Sequence, residues 1–295
     1  MKKLLIFILA STALIFGFFI FNEWVSPLLK PATGRLSVDV ANQKAKVFLD
    51  NNFLGTTPFY AANLRLGDYV IEVDPESSGQ WRWKANLVLT DSTLSVVDID
   101  LASSQLFSSG ESMYFRSGEK GISVIVRPTD AFVAIDSQNE VKTPVNKNLE
   151  KGVHTLTVRK EGYLTRDIAV NIEEGFKLNV IVYLAADPFK GLTKIDNGAK
   201  ASLFTLYNSE VDLSKSYEDW AAGIKHLQEN FSGAQTRFDT LLDPNGKVYI
   251  LDQTEWNNKV ALKTVVNAAY LGKKENDTLT DKAKIEWEKL KKLFN

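Results

Sequence analysis

Few residues in this chain have side chains suited to catalysis or metal binding. It holds two histidines, His154 and His226, and no cysteine. Thiol nucleophiles, thiolate metal sites and disulfides are therefore excluded. His154 falls on the alternating face of an apolar stretch and reads as a sheet residue. His226, between Lys225 and Leu227 in a segment of helical period, reads as a surface residue. Asp50 and Asp136 each open a polar segment after an apolar one. An aspartate there accepts hydrogen bonds from nearby backbone and fixes a turn; a calcium loop would need a run of acidic positions that neither segment has. Asp74 and Glu76 are a carboxylate pair that nothing in the sequence sets across a cleft. Trp81 and Trp83 lie two apart, on one face of a strand. They either fill a core or form an exposed aromatic platform for a glycan or peptide. Nucleophile elbow, Walker, dinucleotide and HExxH motifs are missing. The expectation is a protein with no catalytic residue, cofactor or metal, and with Trp81 and Trp83 as its one candidate platform.

Charge narrows the partners. Lys and Arg total 35 against 36 Asp and Glu, a net charge of -1, which leaves no basic footprint for nucleic acid. The N-terminus carries a different signal. Met1-Lys2-Lys3 precedes the uncharged run from Leu4 to Phe21, followed by Glu23 and Trp24. As a helix the run would cover roughly 27 Å, close to a bilayer's hydrocarbon core. Residues 1–24 are expected to be a single membrane anchor with a cytoplasmic N-terminus and the bulk of the chain outside. The competing expectation is a signal peptide cut near Ser11-Thr12-Ala13, which also exports the chain. Residues 25–33, with Pro27 and Pro31, form a stalk.

From Gly34 the hydrophobic period becomes two. Leu36, Val38 and Val40, then Val47 and Leu49, then Tyr69, Ile71 and Val73 alternate with polar neighbours, and no helical period appears before Leu101. Residues 34–102 are expected to be a small β-sandwich, and the Ser/Gly-rich residues 103–120 a linker, less hydrophilic than a free tether, whose Leu106, Phe107, Met113, Tyr114 and Phe115 dock on the neighbouring domains. Residues 121–186 repeat the first unit. Ile122, Val124 and Val126 follow Leu36, Val38 and Val40 by 86 positions, as Asp136 follows Asp50 and Pro144 follows Pro58; Gly152 follows Gly67 by 85. Val180, Val182 and Leu184 follow Val97, Ile99 and Leu101 by 83. Loop-length changes between matching strands explain the drift, so the unit is duplicated.

The shared motifs carry a family resemblance. The first unit has Val47-Phe48-Leu49-Asp50, Gly55-Thr56-Thr57-Pro58 and Leu64-Arg65-Leu66-Gly67; the second has Val133-Ala134-Ile135-Asp136, Thr143-Pro144, Leu149-Glu150-Lys151-Gly152 and Gly162-Tyr163. Both resemble PEGA domains, small β-sandwich modules whose pattern runs Val-x-Ile-Asp-Gly, Gly-x-Thr-Pro, Leu-x-x-Gly, strand, Gly-Tyr. The first unit lacks the Gly-Tyr step, having Gln80-Trp81 near that place. The second lacks the glycine of Gly-x-Thr-Pro and has Arg127-Pro128-Thr129-Asp130 ahead of its second strand. The resemblance implies that Asp50, Pro58, Gly67, Asp136, Pro144, Gly152, Gly162 and Tyr163 shape turns and cores and that none is catalytic.

Residues 187–295 match no motif. A strand is expected within 201–213, a helix over 216–231 capped by Ser216, and a turn at Asp243-Pro244-Asn245-Gly246 before a strand at 247–251. A helix from a Thr254 cap to about Leu271 and another from Thr280 complete a helix-rich α/β domain. The whole is expected to be mainly β: a transmembrane helix, two tandem β-sandwich modules and this C-terminal domain. Its expected role is non-enzymatic, an envelope protein whose modules space out a domain that contacts other envelope proteins or cell-wall polysaccharide. The alternatives are an extracytoplasmic hydrolase with its site in 187–295, and a sensor or assembly subunit of a membrane complex.

Overall fold

The computed structural model describes residues 12, 15–20, 23, 32–41, 43–77, 81–189, 192–208, 216–230, 236–272 and 277–294. Most of the expected anchor, Leu4 to Phe21, lies outside these, as does nearly all of the stalk. Residues 15–20 are helical, with Ile15, Phe16, Phe18, Phe19 and Ile20 exposed. Among the described residues no helix is long and apolar enough to cross a membrane.

The two β units have one topology. The first consists of β1 (Thr33–Val40), β2 (Ala45–Leu49), β3 (Asn52–Thr56), β4 (Phe59–Arg65), β5 (Gly67–Pro75), β6 (Trp83–Leu89) and β7 (Leu94–Asp100). The second runs β9 (Gly121–Arg127), β10 (Phe132–Ile135), β11 (Val141–Lys142), β12 (Val145–Lys147), β13 (Gly152–Arg159), β14 (Arg166–Ile172) and β15 (Phe176–Tyr183). In the first unit β3-β2-β5-β6 form one sheet and β4-β1-β7 line up in another; in the second, β11-β10-β13-β14 and β12-β9-β15 take the same places. Alternation explains the packing. Leu36, Val38 and Val40 of β1 meet Val47, Ile71, Trp83 and Leu87 in one core, and Ile122, Val124 and Val126 of β9 meet Val133, Leu156 and Ile168 in another.

The expected linker docks on its neighbours through Phe107, Tyr114 and Phe115, and it does so as a strand, which was not expected. Its residues Ser109–Ser117 form β8, antiparallel to β7 on one side and to β15 on the other. Seven strands thereby join in the order β12-β9-β15-β8-β7-β1-β4. The signal was hidden because a Ser/Gly-rich segment has weak strand propensity alone. What makes it a strand is the pair of unpaired edges that it satisfies at once. Because β8 opposes both neighbours, the two halves read outward in the same order, related by a half turn along β8 that exchanges the faces of the sheet. Side chains alternating along β8 therefore enter different cores: Tyr114 packs into the first and Phe115 into the second.

The C-terminal residues add a five-stranded mixed sheet, β16 (Thr193–Asn197), β17 (Ala201–Leu206), β18 (Thr240–Leu242), β19 (Val248–Ile250) and β20 (Val266–Leu271), in the order β16-β17-β20-β18-β19. One face packs on α1 (Tyr217–Asn230) through Trp220, Ile224 and Leu227. The other packs on α2 (Gln253–Leu262) and α3 (Asp281–Phe294) through Trp256, Trp287, Leu290 and Phe294. Ser216 and Thr280 cap α1 and α3, accepting from the amides of Asp219 and Ala283. The helix expected to reach Leu271 stops at Leu262, and its cap is Asp252 rather than Thr254. Lys263 adopts a left-handed conformation that ends α2, and the buried, parallel β20 follows. Leu262, Val265, Val266 and Ala269 fit a helical spacing, but a strand buried on both faces shows no alternation to betray it.

The C-terminal unit is seated on the sandwiches. Ala102, Phe107 and Ala186 share one apolar cluster with Leu206, Trp220 and Ile224. Asn208, itself buried, donates to the carbonyls of Gly162 and Asp187. Gly223 of α1 lies so close to Phe107 that a Cβ there would stand 2.1 Å from the ring. Gly223→Ala is expected to lower stability by about 1–3 kcal/mol through overpacking, and Phe107→Leu in the same background to recover part of it. Urea denaturation of the four-member cycle measures both.

Candidate functional site

The turn residues occupy matching positions in the two units. Asp50 and Asp136 both have positive φ, and each accepts through Oδ1 from an amide of the third long strand, Val70 at 2.8 Å and Thr155 at 2.9 Å. Thr57 and Thr143, ahead of Pro58 and Pro144, are buried and bonded to the backbone of Ala45 and Ala131. Gly67 and Gly152 hold positive φ at the starts of β5 and β13. Gly162, also at positive φ, accepts from the Asp187 amide and from Asn208 of the C-terminal unit, and Tyr163 bridges Ala186 and packs on the same unit's apolar cluster.

Tyr69 and His154 stand at the same place in the two units. The Tyr69 hydroxyl donates to the Arg65 carbonyl at 2.9 Å. His154 Nε2 reaches the equivalent carbonyl, Glu150, at 2.9 Å, and its Nδ1 lies 2.6 Å from Asp136 Oδ2. Both partners are acceptors, so the imidazolium with two N–H groups satisfies them best. The Asp136 carboxylate first and the Glu150 carbonyl second raise the His154 pKa, while His154 and the Thr155 amide lower that of Asp136.

The aromatic platform is not formed. Trp83 is 1% exposed and inside the first core, edge-on to Tyr183 of β15 at 5.7 Å between centroids. Trp81 packs partly buried against the same core. β6 is the edge of its sheet, but its inward side chains Trp83, Leu87 and Leu89 are buried in the first core, Trp83 also meeting Tyr183 of the second unit.

The half turn about β8 builds a seam on the opposite face. Asp39, Asp98 and Glu111 are lateral neighbours on β1, β7 and β8, with Asp100 two residues along. Arg166, the first residue of β14, donates from Nε to Glu111 Oε2 at 2.6 Å. Burial raises the Glu111 pKa, and Arg166 opposes that shift. Partial burial likewise raises Asp98, Arg166 pulling it down while Asp39 and Asp100 add to the rise. His226 Nε2 lies 2.9 Å from Asp100 Oδ1, which ties α1 to the same row. The expected surface histidine is thus a junction residue. Beyond this charged end, a cavity of about 420 Å³ opens between β14 and the face of β7 and β8, floored by Leu94, Val96, Met113 and Phe115.

In the C-terminal unit, carboxylates near α1 and β19 are engaged in turns. The Asp243 carboxylate accepts from the amides of Asn245 and Lys247 and from the Tyr249 hydroxyl. Asp239 pairs with Lys259 at 2.6 Å and accepts from the Asn267 amide. A cleft of about 340 Å³ lies beside Asp196, Lys284 and Trp287. The described residues contain no group of three or more His, Asp or Glu side chains arranged to hold a metal ion.

The PEGA domain family profile matches residues 120–185. That stretch is a PEGA domain. Its boundaries coincide with β9 to β15. No curated protein matches the chain. Among solved structures, the Bacillus anthracis TIE protein aligns over 52% of this chain and 34% of its own length, at 13% identity and a TM-score of 0.20. The chain thus spans about a third of that protein.

The seam pair had no signal in the sequence, because Glu111 of β8 and Arg166 of the PEGA domain meet only once β8 is placed. The Asp136–His154 pair sits in a legible turn, and its test is pH. His154 has a raised pKa in the folded state, so its contribution is complete below the ordinary histidine value near 6.5 and disappears as pH rises through the folded value. Asp136, held low, contributes above the usual aspartate range and loses this as pH falls through its folded value. The urea midpoint of the wild-type chain is expected to fall between pH 6 and 9 more than that of His154→Tyr, which copies Tyr69. Equal slopes would remove the ion pair from the account.

Proposed function

We propose that the chain is a non-enzymatic, membrane-anchored component of the cell envelope, in which a rigid β spacer presents the C-terminal α/β unit for contact with envelope proteins or cell-wall polysaccharide. The observation that carries this reading is β8, which makes two sandwiches one continuous sheet instead of beads on a tether. Inter-domain motion is the default when the interface is small and polar; here shared backbone pairing and the apolar cluster around Phe107 hold the parts together. The first unit, with the strand order and turn chemistry of the PEGA domain, is read as a second copy of that family. The run from Leu4 to Phe21 is read as the anchor, which leaves residues 25–295 on the outer side.

The carboxylates and histidines support the non-enzymatic part of the reading. Asp136, Asp239 and Asp243 are occupied by backbone amides or internal cations, and both histidines are bonded to aspartates. The test is topology. Protease added to intact cells is expected to digest the bulk of the chain and leave a short membrane-embedded N-terminal fragment. Protection that is lost only on lysis would contradict it.

A further inference from the structure

The cavity beside β14 is bordered by the edge of a strand. Ala169, Val170 and Asn171 are consecutive residues, and all three line it. Side chains of a strand alternate between faces, so three in a row bring the backbone edge itself to the opening. Among the described residues β14 pairs only with β13. Which backbone groups face outward follows from the turn at Asp136. The Thr155 carbonyl accepts from the Asp136 amide, and the Thr155 amide donates to the Asp136 carboxylate. Both groups of Thr155 therefore point away from β14, and its cross-strand partner Ala169 belongs to a non-hydrogen-bonded pair. The N–H and C=O of Ala169, and by alternation those of Asn171, point out toward the cavity.

The duplication supplies an internal control. The floor residues Leu94 and Val96 of β7 correspond, 83 positions on, to Lys177 and Asn179 of β15. The same architectural place is apolar in one half and polar in the other, so the topology alone does not demand an apolar floor. The Arg166–Glu111 pair lies along the same strands as the lining residues Ala169 and Met113, and Arg35 and Glu173 line the cavity with charges of both signs. The cavity also continues the seam between the two units, lined by strands of each.

We propose that this groove binds an extended peptide of a partner protein, added as a fifth strand to the β14 edge. The peptide's backbone pairs with Ala169 and Asn171, alternate apolar side chains seat on Leu94, Val96 and Met113, and flanking charges of either sign meet Arg35 or Glu173. Unpaired edges are natural templates for such addition, with main-chain bonds giving affinity and the floor giving selectivity. This goes beyond the spacer reading and does not depend on the anchor.

The probe is a synthetic peptide, the tightest obtained by selecting a displayed random 12-mer library on the full chain. It is expected to alternate apolar residues, to slow hydrogen exchange of the Ala169 and Asn171 amides at least tenfold, and to bind Ala169→Pro at least tenfold more weakly. Proline is tolerated on an edge whose N–H faces solvent, so the fold is retained. Asn86→Pro, the same position on β6, is expected to bind as the wild type does. Protection of the two amides in the peptide-free chain would mean that the edge is already covered, and would overturn the proposal. So would failure to select any peptide, unchanged binding by Ala169→Pro, or palmitate filling the groove where no peptide competes.

Discussion

Backbone pairing on both sides of β8 is the constraint from which the architecture follows. Neither sandwich is closed without it, since β7 and β15 would each present an edge of unpaired N–H and C=O groups. One shared strand satisfies both edges and fixes the relation of the two units by hydrogen-bond register rather than by side-chain contact. The antiparallel sense toward each neighbour then dictates that the smaller sheets cover opposite faces of the seven-stranded one.

That exchange of faces explains where specialised chemistry accumulates. The residue that begins the free-edge strand of each four-stranded sheet, β6 or β14, reaches beyond its own unit. In the first unit this is Trp83, edge-on to Tyr183; in the PEGA domain it is Arg166, on Glu111. The two occupy equivalent positions, as their partners Val73 and Val158 show. One seam is closed by an aromatic contact, and the other by a charge pair with an open cavity beyond it. A buried Glu111 left without Arg166 would be costly, so the pair is a fixed part of the second seam.

Local physics was legible in the sequence, and cross-chain geometry was not. The alternation from Leu36 to Val73 and the positions of Asp50, Asp136, Gly67 and Gly152 gave strands and turns, because these depend on near neighbours. The duplication located β9 to β15 once the first unit had been described. Residues 103–120 resisted because β8 exists by virtue of partners on both sides, and Ser109 to Ser117 carries little strand propensity of its own. β20 resisted because burial on both faces erases the period of two. Trp81 and Trp83 were expected on one strand face, yet β6 begins only at Trp83, and the placement of β15 decides that Trp83 is covered. The role of His226 required α1 to dock beside Asp100, a contact over 126 positions.

The most direct test of the continuous sheet is the distance between the two sandwiches in solution. The chain lacks cysteine, so spin labels can be placed by two substitutions alone, Ala62→Cys on β4 and Val153→Cys on β13, both exposed. Double electron–electron resonance is predicted to give one narrow distance distribution, unchanged by moderate salt. A broad or two-peaked distribution would show units joined by a tether and would contradict the account.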